Sequence, residues 1–301
     1  MKPHFFVLTC NSCDNLSGCY KTLLQRAWGN DCVILLYDSN HKELAEDAIR
    51  KGWRVEVFDW DATIAKMDSP GWTRHYAASK KVVAPARAAA FDIAKKLGIR
   101  YFMQLDDDWH GIQIPSDISE QLPSRKRLYI KKDPEPFAAK YFKFIVERIF
   151  DLVAETGATV AFVQSGEVFS ADVTKYHFKP KVMNTFILDT ENPMPFGGFN
   201  EDVNVYCRRN IDKPCFQVGY LIWLHGGSQL RQGIEYTGTW EKTFATVITN
   251  PTATRLSTFK NPGSGKEDMN YTRIHHSIQY EHTQPKHVWP IEEAQHNEKA
   301  I

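Results

Sequence analysis

The sequence of 301 residues lacks any run of roughly eighteen apolar residues, the least that spans a bilayer as a helix, and shows no charged-then-apolar leader. Met1 leads within a few residues into an apolar stretch, His4 to Thr9. A cytoplasmic protein with no membrane partner is the expectation. Neither GxGxxG nor GxxxxGK[ST] occurs, so no motif supports a dinucleotide fold or a P-loop. Cysteine is sparse. Six in a chain of this length make no disulfide scaffold, and Cys10, Cys13 and Cys19 lack the second CxxC or the His pair of a zinc site. Neither charge sign is in excess, with 37 Lys and Arg against 36 Asp and Glu, so the net charge demands no polyanionic partner. Internal repeats and low-complexity tracts are absent too.

What the sequence does hold is centred on GIRYFMQLDDDWHG, residues 98 to 111. Ile99 to Leu105 is short, apolar and rich in aromatic and branched residues, the pattern of a buried parallel strand. Asp106, Asp107 and Asp108 follow at its carboxyl end, where open α/β sheets bind ligands. Three adjacent carboxylates repel one another until a cation or a set of donors neutralises them. Their oxygens suit Mg²⁺ or Mn²⁺, which take one or two carboxylates plus substrate phosphate oxygens. A solvated acidic turn is the competing reading.

The preceding residues march β-α-β-α-β. His4 to Thr9, Cys32 to Tyr37 and Arg54 to Phe58 read as strands, with helical spacing at Leu23, Leu24, Ala27 and Trp28 and again at Leu44, Ala48 and Ile49. Asp61 to Ser79 reads as a loop, and a helix with Val82, Ala86, Ala90, Ile93 and Leu97 on one face leads to the acidic strand. Gly111 to Asp133 is loop-like, and its stretch Ser124 to Asp133 carries Arg125, Lys126, Arg127, Lys131 and Lys132 around Tyr129. A long helix, Phe137 to Glu155, then shows a stripe of Tyr141, Ile145, Ile149 and Leu152. Strands are expected at Thr159 to Gln164, Val182 to Asp189 and Phe216 to Leu224. Between the last two, FGGFNEDVNVYCR turns on glycines into Glu201 and Asp202, which either cap a helix or do chemistry. The last seventy residues are dense in Thr, Asn, Pro and His.

In this order the features resemble glycosyltransferases of the GT-A fold, which use nucleotide-sugar donors, over roughly residues 4 to 225. The matching pieces are the strand-helix march, the helix PARAAAFDIAKKL, the acids as a DxD motif and GGFNEDV as the later acidic motif. The resemblance implies an α/β, Rossmann-like, mainly parallel sheet with flanking helices and a loop-rich carboxyl-terminal extension. It divides the chain into a nucleotide-sugar-binding half (1–110), an acceptor-side half (111–230) and the extension (231–301). By the same resemblance Asp106 and Asp108 hold Mn²⁺ or Mg²⁺ on the donor diphosphate, most commonly that of a UDP-sugar, with Asp107 beside them. The family often adds a late histidine to the metal, for which His275 and His276 lead over His225, His282 and His287. Thr9, Asp38, Lys80 and Arg87 are the expected donor-binding residues. Asp202 resembles the base that takes the acceptor's proton in an inverting transfer, with Glu201 the alternate; a retaining enzyme needs neither as base.

A looser likeness, carried by HFFVLTCNS, the compact core and the Thr-, Asn- and His-rich tail, is to phage-type DNA glycosyltransferases associated with base-oxidising dioxygenases. These imply a hydroxymethylated pyrimidine in DNA as acceptor, 5-hydroxymethylcytosine among them. The basic loop would then neutralise phosphates while Tyr129 offers a stacking surface. Other readings stay open: a glycan, protein or small-molecule acceptor; a nucleotidyltransferase, of whose glycine- and lysine-bearing loop CNSCDNLSGCYK is a poor version; and a binding module without chemistry.

Overall fold

In the computed structural model, residues 1–16, 18–67, 83–114, 128–130, 136–164, 176–177, 185–192, 201–212, 215–225, 239–260, 272–279 and 282 are described. Four strands open the fold: β1 (Phe5–Leu8), β2 (Val33–Asp38), β3 (Arg54–Phe58) and β4 (Tyr101–Asp106). They pair in parallel in the order β3-β2-β1-β4, with β1, β2 and β4 as mainly apolar buried runs and RVEVF of β3 as the half-exposed edge. Alternation divides them between two cores. Phe5, Val7, Val33, Leu35, Tyr37, Met103 and Leu105 face one side, while Phe6, Leu8, Ile34, Leu36 and Phe102 face the other.

Helices cover each side. A π-helical turn, Tyr20–Gln25, runs into α1 (Arg26–Trp28) and packs on the first face. There it meets Ala45 and Ala48 of α2 (Lys42–Arg50) and the long helix described below. A third helix, α3 (Trp60–Lys66), corrects the loop expected from Asp61: Asp59 caps it by accepting from the Ala62 amide at 2.9 Å. The second face is covered by α4 (Ala84–Lys96), with Pro85 in its first turn and Ala89, Ala90, Phe91 and Ala94 buried. Gly98 closes α4 at φ +69°, a conformation that costs a Cβ-bearing residue energy, and so aims β4 and its acids.

Beyond the acids the chain makes two strands where loop was expected, β5 (Trp109–Ile114) and β6 (Leu128–Ile130). Next come α5 (Pro136–Thr156), β7 (Thr159–Gln164), β8 (Tyr176–His177), β9 (Phe186–Asp189), α6 (Glu201–Asp212) and β10 (Cys215–His225). The expected stripe of α5 widens to include Phe142, Val146, Phe150 and Val153 on the first core. The whole sheet runs β3-β2-β1-β4-β9-β7-β10-β5-β6, with β8 pairing on β10. It is mainly parallel in direction. β7 and β10 pair in parallel and point the same way as β1 to β4, while β5, β8 and β9 run against them. This is the expected α/β architecture.

In the loop-rich extension the described residues form α7 (Thr239–Thr249) and a hairpin of β11 (Thr254–Lys260) and β12 (Thr272–Ile278). Ala253 and Ile278 join the second core beside Val203, Val205 and Tyr206 of α6, so the extension rests on that helix. No helix among the described residues is long and apolar enough to cross a membrane.

Candidate active site

The carboxyl ends of β1 to β4 open into a cleft of about 620 Å³, within the range of small-molecule sites. One end of its wall is Asp106, Asp107 and Asp108 with Thr9 and Asn11; the other is Asp38, His41, Phe58 and Trp60. Four consecutive parallel strands thus deliver the polar groups, as the fold dictates for strand ends.

Each acid has a separate setting. Asp106 shares a face of β4 with Gln104, since strand side chains repeat every second residue, and both turn toward α4. Arg87, fully buried there, donates from Nη2 to Asp106 Oδ1 at 2.8 Å. The Gln104 amide donates to the Arg87 carbonyl at 2.9 Å, and the guanidinium lies 5.2 Å from the Phe186 ring. Asp107 is gripped from β1's side: Thr9 Oγ1 donates to its Oδ2 at 2.6 Å and the Asn11 amide to the same oxygen at 2.8 Å. Asp108 stands at the exposed lip.

Beneath them Tyr20, packed edge-on to Trp109 at 5.1 Å, donates its hydroxyl to the Asp106 carbonyl at 2.5 Å. Burial pushes the Tyr20 phenol well above its ordinary range, and the carboxylates of Asp107, Asp106 and Asp108 add to the rise. The phenol stays a donor. Tyr37 donates to the Asn11 carbonyl at 3.0 Å.

A divalent cation fits this donor set in one particular way. Among the described residues no group of three or more His, Cys, Asp or Glu could hold an ion alone. Asp106 bonds to Arg87 and Asp107 to Thr9 and Asn11, while Asp108, exposed at the lip, is the most outward of the three hard oxygen donors. One or two carboxylates completed by substrate phosphates is the usual manner of Mg²⁺.

Of the expected donor residues, Thr9, Asp38 and the three acids meet in the cleft, whereas Arg87 lies beneath its floor and holds Asp106. His275 and His276 sit on β12, opposite Ser257 and Leu256, and are not among the cleft-lining residues. Asp202 lies in the first turn of α6 and accepts from the Val203 amide at 2.8 Å; like those histidines, it is not part of the described cleft wall. Glu201 is the first residue of α6 and Tyr129 pairs with Gln113 on β6. Lys80, Arg125, Lys126, Arg127, Lys131 and Lys132 fall outside the described residues. Sequence reasoning missed Asn11, Tyr20, Gln104 and His41. Gln104 carries a readable signal, being a polar side chain set between Met103 and Leu105, two residues before Asp106.

No curated protein matches the chain by sequence. Among solved structures it is similar to glucosyl-3-phosphoglycerate synthase from Mycobacterium tuberculosis in complex with Mg²⁺ and uridine diphosphate, at 12% identity over 92% of this chain and 87% of that one, TM-score 0.43. The same synthase with Mn²⁺, uridine diphosphate and phosphoglyceric acid gives 13% identity over the same shares and a TM-score of 0.42. A mycobacterial protein gives 12% identity over 92% and 84%, TM-score 0.41. Residues 13–221, more than half of the chain, match the model of one family that takes in both the acids and most of the sheet, and the chain belongs to it: the TET-associated glycosyltransferases.

Proposed function

We propose that this glycosyltransferase moves a sugar from a UDP-sugar to the hydroxyl of a hydroxymethylated pyrimidine in DNA, with Mn²⁺ or Mg²⁺ on the donor diphosphate. The observation that carries the donor half is the acid run at the end of β4, open to a cleft that also holds Thr9 and Asp38. A cation bound at Asp108, with Asp106 beside it, would neutralise the charge that grows on the leaving diphosphate. Arg87 holds the Asp106 carboxylate in place from below, and Thr9 and Asn11 do so for Asp107, so the acids are oriented before any ligand arrives. Asp202 is the base that takes the acceptor's proton as the hydroxyl attacks the anomeric carbon.

The acceptor half rests on the family's association with base-oxidising TET enzymes and on the basic stretch from Arg125 to Lys132. A base within a duplex does not reach a metal-centred cleft, so the nucleotide must be flipped out or the strand single.

Calorimetric titration with UDP tests the donor site: Mn²⁺ should strengthen binding in the wild type and not in Asp108→Ala, and equal affinities would remove the metal role. Asp202→Asn should leave UDP affinity intact while lowering turnover by about a hundredfold or more. For the acceptor, label should pass from UDP-sugar to 5-hydroxymethylcytosine DNA and not to unmodified DNA. Failure with every common donor, together with salt-insensitive DNA binding in wild type and in Arg125→Ala/Lys126→Ala/Arg127→Ala, would move the acceptor to a glycan, protein or small molecule.

A further inference from the structure

The end of the cleft away from the acids holds a histidine paired to a carboxylate. Asp38 ends β2, and His41 follows after a single 3₁₀ turn with its Nδ1 2.8 Å from Asp38 Oδ2. Asp38 Oδ1 accepts from the Asn40 amide at 2.7 Å. Both side chains are largely enclosed, at 9% and 17% exposure, and both line the cleft. A carboxylate has no proton to give, so Nδ1–H is the donor to Asp38 Oδ2, and a one-proton ring that donates there presents Nε2, on its opposite edge, as an acceptor.

The setting is that of a base. Phe58 and Trp60, with ring centroids 6.1 Å apart, line the same end and offer aromatic surface. Neighbouring strands lie about 4.8 Å apart, so the ends of β4 and β3 are separated by about 14 Å. A nucleoside diphosphate with its phosphates at the acids therefore reaches β2 and β3 with its base.

We propose that His41 Nε2, held as a pure acceptor by Asp38, selects the donor's base. It accepts a hydrogen bond from the imide N–H of uracil or thymine and meets the ring nitrogen of cytosine lone pair to lone pair. Asp38 is the positioning residue and His41 the specificity-determining one. The proposal rests on the nucleotide-sugar reading above and adds to it the chemistry by which one pyrimidine is preferred.

The test is calorimetry on the full chain at pH 8 with Mn²⁺, comparing UDP with CDP, which share ribose, diphosphate and ring size. UDP should bind tighter by about tenfold or more, since an enclosed acceptor facing an acceptor loses a hydrogen bond and gains repulsion. His41→Asn, whose amide both donates and accepts, should bring the two within about threefold of each other. Asp38→Asn, which keeps the oxygen that caps the turn, should narrow the ratio in the same direction. Independently of any nucleotide, ¹⁵N spectra of histidine-labelled protein should show His41 as the Nδ1–H tautomer, and as a mixture in Asp38→Asn. Equal UDP and CDP affinities in the wild type, or an Nε2–H tautomer, would overturn the role of His41 while leaving the donor site standing. Binding of neither nucleotide would overturn both.

Discussion

The parallel half of the sheet and the carboxyl-terminal hairpin bury polar side chains to opposite ends. Around β1 to β4, Thr9, Asp38, Arg87 and Gln104 are buried and lead outward: Thr9, Asp38 and Arg87 bond directly to a group at the cleft, and Gln104 braces Arg87 from behind. Around α7 and β11, Asn250 donates to Asn204 at 2.7 Å, and Thr254 donates to the Asn250 carbonyl at 2.8 Å. Those bonds close on backbone and neighbours. Buried polarity alone therefore does not mark a site. What marks it is a network whose last member faces open space.

The sharpest way to break the comparison is to cut the first network at its base. Arg87→Ala takes the buried cation from the Asp106 carboxylate, and should lower unfolding free energy by about 3–5 kcal/mol in urea titrations. A loss below about 1 kcal/mol would mean that water screens the pair and that the floor around Arg87 is not sealed. Cutting the closed network should cost less and spare the ligand. Asn250→Ala removes the donor to the Asn204 amide oxygen, for about 1–3 kcal/mol of stability, with UDP affinity unchanged. A fall in UDP affinity would place the hairpin in the site after all.

The smallest effect sharpens the picture at the floor. Tyr20→Phe removes the bond to the Asp106 carbonyl and should cost about 1 kcal/mol at pH 7. The folded phenol holds its proton above the unfolded value of 10.0, so its contribution is whole below that pH and is lost as pH rises beyond it. Wild type should therefore lose stability above about pH 10 by up to about 1.4 kcal/mol per pH unit from this group, a slope that Tyr20→Phe removes. Identical alkaline limbs in the two proteins would mean that the phenol is solvated.

The same contrast explains what could be read in the sequence. β1, β2 and β4 were legible because strands buried on both faces must be mainly apolar runs, and the acids follow the last of them; β3, a half-exposed edge of alternating RVEVF, was legible from its branched residues between Gly52 and Asp59. Strand order was not: nothing local to Phe186–Asp189 says that it enters between β4 and β7 and runs against both. α3 was missed because seven residues make too few turns for a stripe, although Asp59 was a readable cap. Arg87 was expected on the donor only by resemblance to the GT-A glycosyltransferases. Its burial follows from period two in β4, which turns Gln104 and Asp106 together toward α4 and asks for a cation there. His41 carried a weaker mark, a histidine three residues past an aspartate, and its meaning depends on a turn that sequence does not fix.

One loop remains to be followed outward. Tyr37 on β2 is bonded to the Asn11 carbonyl, and Asn11's own amide to Asp107 beyond β4, so the segment after β1 is laced to both neighbours across the mouth of the cleft. Such lacing works as a spacer bar, keeping the strand ends at one separation whether or not anything lies between them. Molecules that enter are gauged for length against a stiff frame, and the work of drawing two walls together, which a hinged site subtracts from its affinity, does not arise.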